Sequence, residues 1–275
     1  MATQLLFYDQ VQTLNGQRHR DWYVKTGGSF EFARDVNAVP LLAVEFPGAV
    51  KEYPIVFTGS EGEVIPVAVM GIRNQENLYV DEAGEWQAKY VPAFVRRYPF
   101  VFSSSEDGST LTLCIDENFS GCNQEGRGER LFDSEGNQTQ YLTGVLEFQK
   151  QYQASFQQTV QFCSKLVELD VLEPLSATFT PADGEPAVLS GFSAVNRDKL
   201  KALPDEKLVE LAKSDELELL YTHLVSMSNF QQMSDRIGAQ GSRADSSDEA
   251  VNAAESKSEP NDDSASSTTA SQDAD

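Results

Sequence analysis

The sequence predicts an α+β fold: a β-rich N-terminal half built from two similar double-hairpin units, then an amphipathic helix, a hairpin and C-terminal helices. Three observations predict it. Runs of β-branched and aromatic residues separated by polar turns occur twice before about residue 140. From about residue 141 the apolar residues recur at steps of three and four instead of two. Proline and acidic residues then punctuate the last third as helix starts require.

In the first half, Tyr53-Pro54-Ile55-Val56-Phe57 is echoed by Tyr98-Pro99-Phe100-Val101-Phe102. Each run leads through a polar turn into a second β-type run, Val64 to Ile72 or Thr110 to Ile115. Asn74-Gln75-Glu76 and Asn123-Gln124-Glu125 follow, and LYVDEAGEW (78–86) then matches LFDSEGNQ (131–138). Val39-Pro40 and Val91-Pro92 form a looser common lead-in. Recurrence of several features in one order points to a duplicated supersecondary unit of two hairpins with Asp-x-x-Gly turns. Two copies are too few for a solenoid, so a paired sheet or a distorted barrel is expected.

Val145, Phe148, Tyr152, Phe156, Val160, Cys163 and Val167 form the stripe of an amphipathic helix with glutamines on its other face. Leu172-Glu173-Pro174 is expected to end it. Thr178 to Val195 reads as a hairpin turning at Asp183-Gly184. Pro204-Asp205-Glu206 starts a helix, and Ser214-Asp215-Glu216 opens another through about Met233.

The chain of 275 residues divides into a folded domain over 1–238 and an acidic, serine-rich tail over 239–275. From 241 to 275 there are nine acidic and two basic residues, with Val251 the only large aliphatic, a composition expected to stay disordered. That tail carries −7 of the total −22, leaving −15 on the first 240 residues. A body so acidic repels phosphate backbones and anionic bilayers, so neither nucleic acid nor a membrane surface is an expected partner. No run approaches the roughly 20 apolar residues of a membrane span, and the N-terminus lacks the basic and cleavage regions of a signal peptide. The expected location is cytoplasmic. Three cysteines, Cys114, Cys122 and Cys163, fit neither a disulfide framework nor a metal motif, and Cys163 is expected to pack in the core.

The familiar chemistries find little support. Only His19 and His223 are present, far apart, so a histidine metal centre and a serine triad both lack their parts. His223, between Leu219 and Met227, is expected to be a satisfied core-edge residue. Asp116 to Gly121 copies the first half of a calcium loop, but position 12 is Arg127 and the preceding LTLCI is strand-like. Gly27-Gly28 has no phosphate-loop context. No cofactor and no metal site is expected.

The stretch densest in recognition-type residues is WQAKYVPAFVRRYPFVF (86–102). Arginine and aromatic side chains are the usual anchors of binding surfaces, and Arg96-Arg97 in an acidic body suits a carboxylate or an acidic peptide. The candidate ligand-binding residues are Arg73, Trp86, Tyr90, Arg96, Arg97 and Tyr98. The other reading is structural: the aromatics fill the sheet core while one arginine pairs with a local carboxylate.

These segments also resemble the bacterial SapC-like proteins. The resemblance is carried by Glu52 to Phe57, ENLYVD (76–81), YVPAFVRRYPF (90–100), LCIDE (113–117), LFD (131–133), Gly191-Phe192, LPDEKLVEL (203–211) and YTHLVSMSN (221–229). It runs from about Val39 to Phe230 and leaves the tail outside. It implies a bacterial protein associated with a surface-protein layer or a TonB-dependent uptake system, and it assigns no catalytic residue. The expected function is a non-enzymatic accessory or binding protein whose partner is a protein or peptide of such a system. The alternative is an enzyme acting on a peptide or small molecule through a histidine-independent site.

Overall fold

A computed structural model describes residues 5–60, 63–105, 109–179 and 186–237. The acidic tail and the Asp183-Gly184 turn lie outside the described residues. The fold is α+β. Strands β1 (Val11–Thr13), β2 (Tyr23–Val24) and β3 (Ala38–Pro40) come first, then a short helix α1 (Phe46–Ala49) and the hairpin β4 (Ile55–Ser60) and β5 (Glu63–Val69). One helical turn, α2 (Ala93–Arg96), precedes the second hairpin, β6 (Phe100–Ser104) and β7 (Leu111–Asp116). Short strands β8 (Cys122–Asn123) and β9 (Glu129–Arg130) lead to the long helix α3 (Gln140–Glu168). Strands β10 (Leu172–Phe179) and β11 (Ala187–Val195) follow, then helices α4 (Arg197–Lys201), α5 (Asp205–Lys213) and α6 (Glu216–Ser226), and helical residues 229–237.

The strands form three antiparallel sheets, ordered β10-β11-β4-β5-β3, β1-β7-β6 and β8-β2-β9. The two hairpins named by the Tyr-Pro runs occupy different sheets but share their bonding. The Pro54 carbonyl accepts from the Val69 amide at 3.0 Å, as that of Pro99 does from the Asp116 amide at 3.0 Å. The strand beside each hairpin also corresponds. Leu41 donates to Pro66 and Leu14 to Leu113, both at 2.9 Å, while Asn37 accepts from Met70 and Gln10 from Glu117. The place held by β3 in the first sheet is therefore held in the second by β1, from the N-terminus, and not by Val91-Pro92. A second hairpin was expected in each unit. What forms is a loop closed by a single bridge, Val80 to Trp86 in one and Phe132 to Gln138 in the other. In each loop an aspartate gathers the turn. Asp81 Oδ1 accepts from the amides of Ala83 and Glu85, and Asp133 Oδ1 from those of Glu135 and Asn137. Gly84 and Gly136, with φ of 77° and 89°, supply the left-handed residue these turns need.

Helix α3 starts where the Thr139 hydroxyl accepts from the Leu142 amide at 3.3 Å. It ends at Glu168, earlier than Pro174 would dictate. Asp170 takes a φ of 50°, and its amide and that of Val171 turn back onto the carbonyls of Val167 and Leu166. That is a Schellman close, with Val171 and Leu166 both fully buried as its apolar contact. Pro174 instead sits inside β10, where an edge strand tolerates a missing donor. The last hairpin therefore begins at Leu172, ahead of the expected Thr178.

The buried face of α3 is only partly the expected stripe. Tyr152 and Cys163 are buried, but Val167 is exposed, and the seam also contains Gln149 and Thr159. These polar residues are satisfied. Gln149 Nε2 donates to the Phe100 carbonyl at 2.9 Å and the Arg97 carbonyl at 3.3 Å. The Thr159 hydroxyl donates to Ser155 and accepts from the Ala43 amide at 2.9 Å. Helix α3 thus lies over β5 and the 3₁₀ turn Ala43–Glu45, closing a core that includes Phe46, Tyr53, Phe57, Phe94, Phe162 and Leu166. The helix expected to reach Met233 breaks after Ser226, where the Ser226 and Ser228 hydroxyls donate to the carbonyls of His223 and Val225.

Candidate functional site

Pro92 opens α2, and its single turn places adjacent arginines on different sides. Arg97 points inward and is 8% exposed, its guanidinium 4.1 Å from the centre of Phe94, 4.8 Å from Tyr152 and 5.7 Å from Tyr8. Tyr98 is buried as well. Its hydroxyl donates to Asp116 Oδ2 at 3.1 Å, and burial, reinforced by Asp116, pushes the phenol well above its ordinary range. Both residues were expected to touch ligand; their side chains are largely buried, yet both border the larger of two open clefts.

Arg96 points outward and is exposed. Its Nε donates to the Val91 carbonyl at 2.9 Å, and its guanidinium lies 5.4 Å from the centre of the Phe148 ring. Arg18, Arg34, Arg73, Arg127 and Arg130 each face a carboxylate. Among the described residues no carboxylate stands within ion-pairing distance of Arg96.

Two open clefts meet at this side chain. One, of about 420 Å³, is lined by Arg96, Arg97 and Tyr98 with Thr26, Phe100, Gln140, Tyr141, Gly144, Val145, Phe148 and Gln149. The other, of about 250 Å³, is lined by Arg96 and Phe148 with Leu42, Glu45, Tyr90, Gln151, Tyr152 and Ser155. Both run along the N-terminal half of α3, and the first is the more apolar.

Glu45 forms the back of the second cleft. It is 5% exposed, and its carboxylate is already engaged. Oε2 accepts from the Leu42 amide at 2.9 Å, and Oε1 from the Tyr90 hydroxyl at 2.6 Å and the Ala93 amide at 2.7 Å. A carboxylate accepting three hydrogen bonds in this way positions Tyr90 and the start of α2. Burial, with Glu45 as hydrogen-bond acceptor, drives the Tyr90 phenol up, so it is neutral and a donor. Trp86 stands behind Tyr90 and lines neither cleft. Its indole donates to the Tyr53 hydroxyl at 2.9 Å, and that hydroxyl donates to the Tyr90 carbonyl. Arg73 lies on another turn, paired with Glu76 at 3.0 Å, and also lines neither cleft.

The structure therefore brings Tyr90 and Arg96 together at one cleft, buttressed by Trp86, places Arg97 and Tyr98 beside Arg96 at the other, and leaves Arg73 elsewhere. Sequence reasoning missed Glu45, Tyr141, Gly144, Gln151 and Ser155. For Gly144 a signal existed, a glycine inside a strong helical pattern. For the others none did.

His223, by contrast, is wholly internal. Nε2 accepts from the Val195 amide at 3.0 Å and Nδ1 donates to the Ile55 carbonyl at 2.8 Å. Asp116 holds no vacancy for a cation: its two oxygens accept from the amides of Asp9, Gln10 and Asn118 and from Tyr98. Cys163 is fully buried, its thiol pushed up to about 12 by loss of solvent. Among the described residues no helix is long and apolar enough to cross a membrane.

Fold and groove together define an α+β protein with an open groove along one face of its long helix and Arg96 where its two clefts meet. The SapC family model matches residues 14–233, and the chain belongs to that family. The match starts well ahead of Val39, directly after β1 (Val11–Thr13), so it takes in β2 but not the edge strand of the β1-β7-β6 sheet. No curated protein and no solved structure matches the chain.

Proposed function

We propose that this SapC-family protein is a non-enzymatic accessory protein that holds an anionic protein segment in the groove along α3. The observation that carries this reading is Arg96, an exposed guanidinium with no carboxylate partner among the described residues, set between two clefts in a chain of net charge −22. Arginine without a carboxylate partner beside aromatic surface is a common anchor of binding sites, and its planar fork suits carboxylate. Glu45 is held in place by three hydrogen bonds, from Leu42, Tyr90 and Ala93, which favours a positioning role over acid–base chemistry. On the family's associations, the partner is a component of a surface-protein layer or TonB-dependent uptake system, met from the cytoplasmic side. The test is affinity purification from the native host with the wild-type chain and Arg96→Ala. The substituted chain should lose the specific partner while its melting temperature stays within about 2 °C of wild type, as for a surface change. A partner retained in full would overturn the assignment.

A further inference from the structure

Gly144 lies in the second turn of α3, where glycine is a poor helix former, and packing does not call for it. A Cβ built there meets nothing within 4 Å. The glycine instead keeps open the larger cleft, whose walls are its neighbours on the same helix face, Tyr141 and Phe148. Phe148 in turn underlies the Arg96 guanidinium.

Resting on the reading of Arg96 as an anion anchor, we propose that the notch at Gly144 receives a large apolar side chain of an extended acidic peptide. The carboxylate of a nearby Asp or Glu in that peptide sits on Arg96. Length argues for a peptide over a small metabolite. From Gln140 to Ser155, the outermost α3 residues of the two clefts, the helix advances about 22 Å, the reach of six or seven extended residues. Beyond Arg96 the second cleft offers the Gln151 amide and the Ser155 hydroxyl as polar contacts for the peptide backbone.

The experiment pans a random-peptide display library on the full chain and measures the best peptide against Gly144→Leu, Gly144→Ala and Arg96→Ala. Enriched peptides should pair Asp or Glu with a large apolar residue, and Gly144→Leu and Arg96→Ala should each weaken binding about tenfold or more. Gly144→Ala should raise the melting temperature by about 2 °C, showing that the glycine does not serve the fold. No enrichment, or enrichment without acidic residues, overturns the proposal. So does N-acetylphenylalanine binding as tightly as the best peptide. Loss with Arg96→Ala but none with Gly144→Leu removes the notch and keeps the anion site, whereas loss with neither removes both. A Gly144→Leu chain that fails to fold leaves Gly144→Ala to decide: a fall in melting temperature would overturn the proposal.

Discussion

Nδ1 of His223 donates a hydrogen bond to the carbonyl of Ile55 at 2.8 Å, pinning α6 to the first residue of β4. Because Nε2 accepts from the Val195 amide, the neutral tautomer is fixed and a second proton would displace that contact. Burial lowers the imidazole to about 4 from an ordinary value near 6.5. Between those values the unfolded chain binds the proton and the folded chain does not, so stability falls as pH drops from about 6.5 to about 4. The full loss is about 3 kcal/mol. Urea unfolding across this window should show that slope in wild type and a flattened one in His223→Gln. Carboxylates held low by cationic neighbours, Glu117 by Arg18 and Glu210 by Lys207, act in the same direction but below their ordinary range. They do not account for a slope above pH 5.

Asp116 is the second internal polar centre, and it joins the N-terminal segment to the sheet that segment completes. Asp116→Ala would leave the amides of Asp9, Gln10 and Asn118 and the Tyr98 hydroxyl without their acceptor. A cost of about 3 kcal/mol or more is expected, against about 1 kcal/mol for Tyr98→Phe. Hydrogen exchange should locate the damage: amides of β1 and β7 lose protection in Asp116→Ala before those of β4 and β5 do. Uniform loss across both sheets would mean that Asp116 is not a local tie.

Arg96 and Arg97 are neighbours in sequence with opposite fates, which makes them a controlled pair. Arg97→Ala empties a site ringed by Tyr8, Phe94 and Tyr152 and should cost about 2–4 kcal/mol. Arg97→Lys should recover little of that, because an ammonium cannot stack as the planar guanidinium does. Arg96→Ala should leave thermal stability almost unchanged. Differential scanning calorimetry on the three variants decides between this division and an equal role for both arginines.

The same pair shows what was legible in the sequence. The segment YVPAFVRRYPF concentrates the aromatic and arginine side chains that anchor binding surfaces, and the structure sets four of them, Tyr90, Arg96, Arg97 and Tyr98, along the clefts. Which arginine faces out depends on one turn of helix opened by Pro92, and composition does not reveal that. Class and helix positions were legible wherever apolar period decided them, as along α3. The seam itself drifted, because Gln149 and Thr159 are buried through hydrogen bonds that a hydrophobic pattern counts as exposure. The pairing of β1 with β7 was hidden for another reason. Val11 and Asp116 are far apart in the chain, and three residues of strand carry too little pattern to name a partner. Glu45 was hidden likewise, its role set by Tyr90 and Ala93 arriving from a later segment.

The C-terminal boundary yields a final prediction. Met233 is fully buried against the main core, Phe230 contacts Phe179 and Phe192, and Arg236 stacks 4.4 Å over Tyr79 while donating to the Gln87 carbonyl. Residues 229–237 therefore close one side of the domain, and the family match ends among them, at 233. Beyond 240 the sequence is acidic and serine-rich, with Val251 its only large aliphatic residue, and lies outside the family match. A chain ending at Gln240 should melt within about 2 °C of full length. One ending at Gln232 removes Met233 and the Arg236 contact and should lose about 3 kcal/mol or more, as for deletion of a large core side chain. Thermal melts of the two truncations separate these outcomes. A large drop already at Gln240 would show that the acidic segment is part of what holds the domain together.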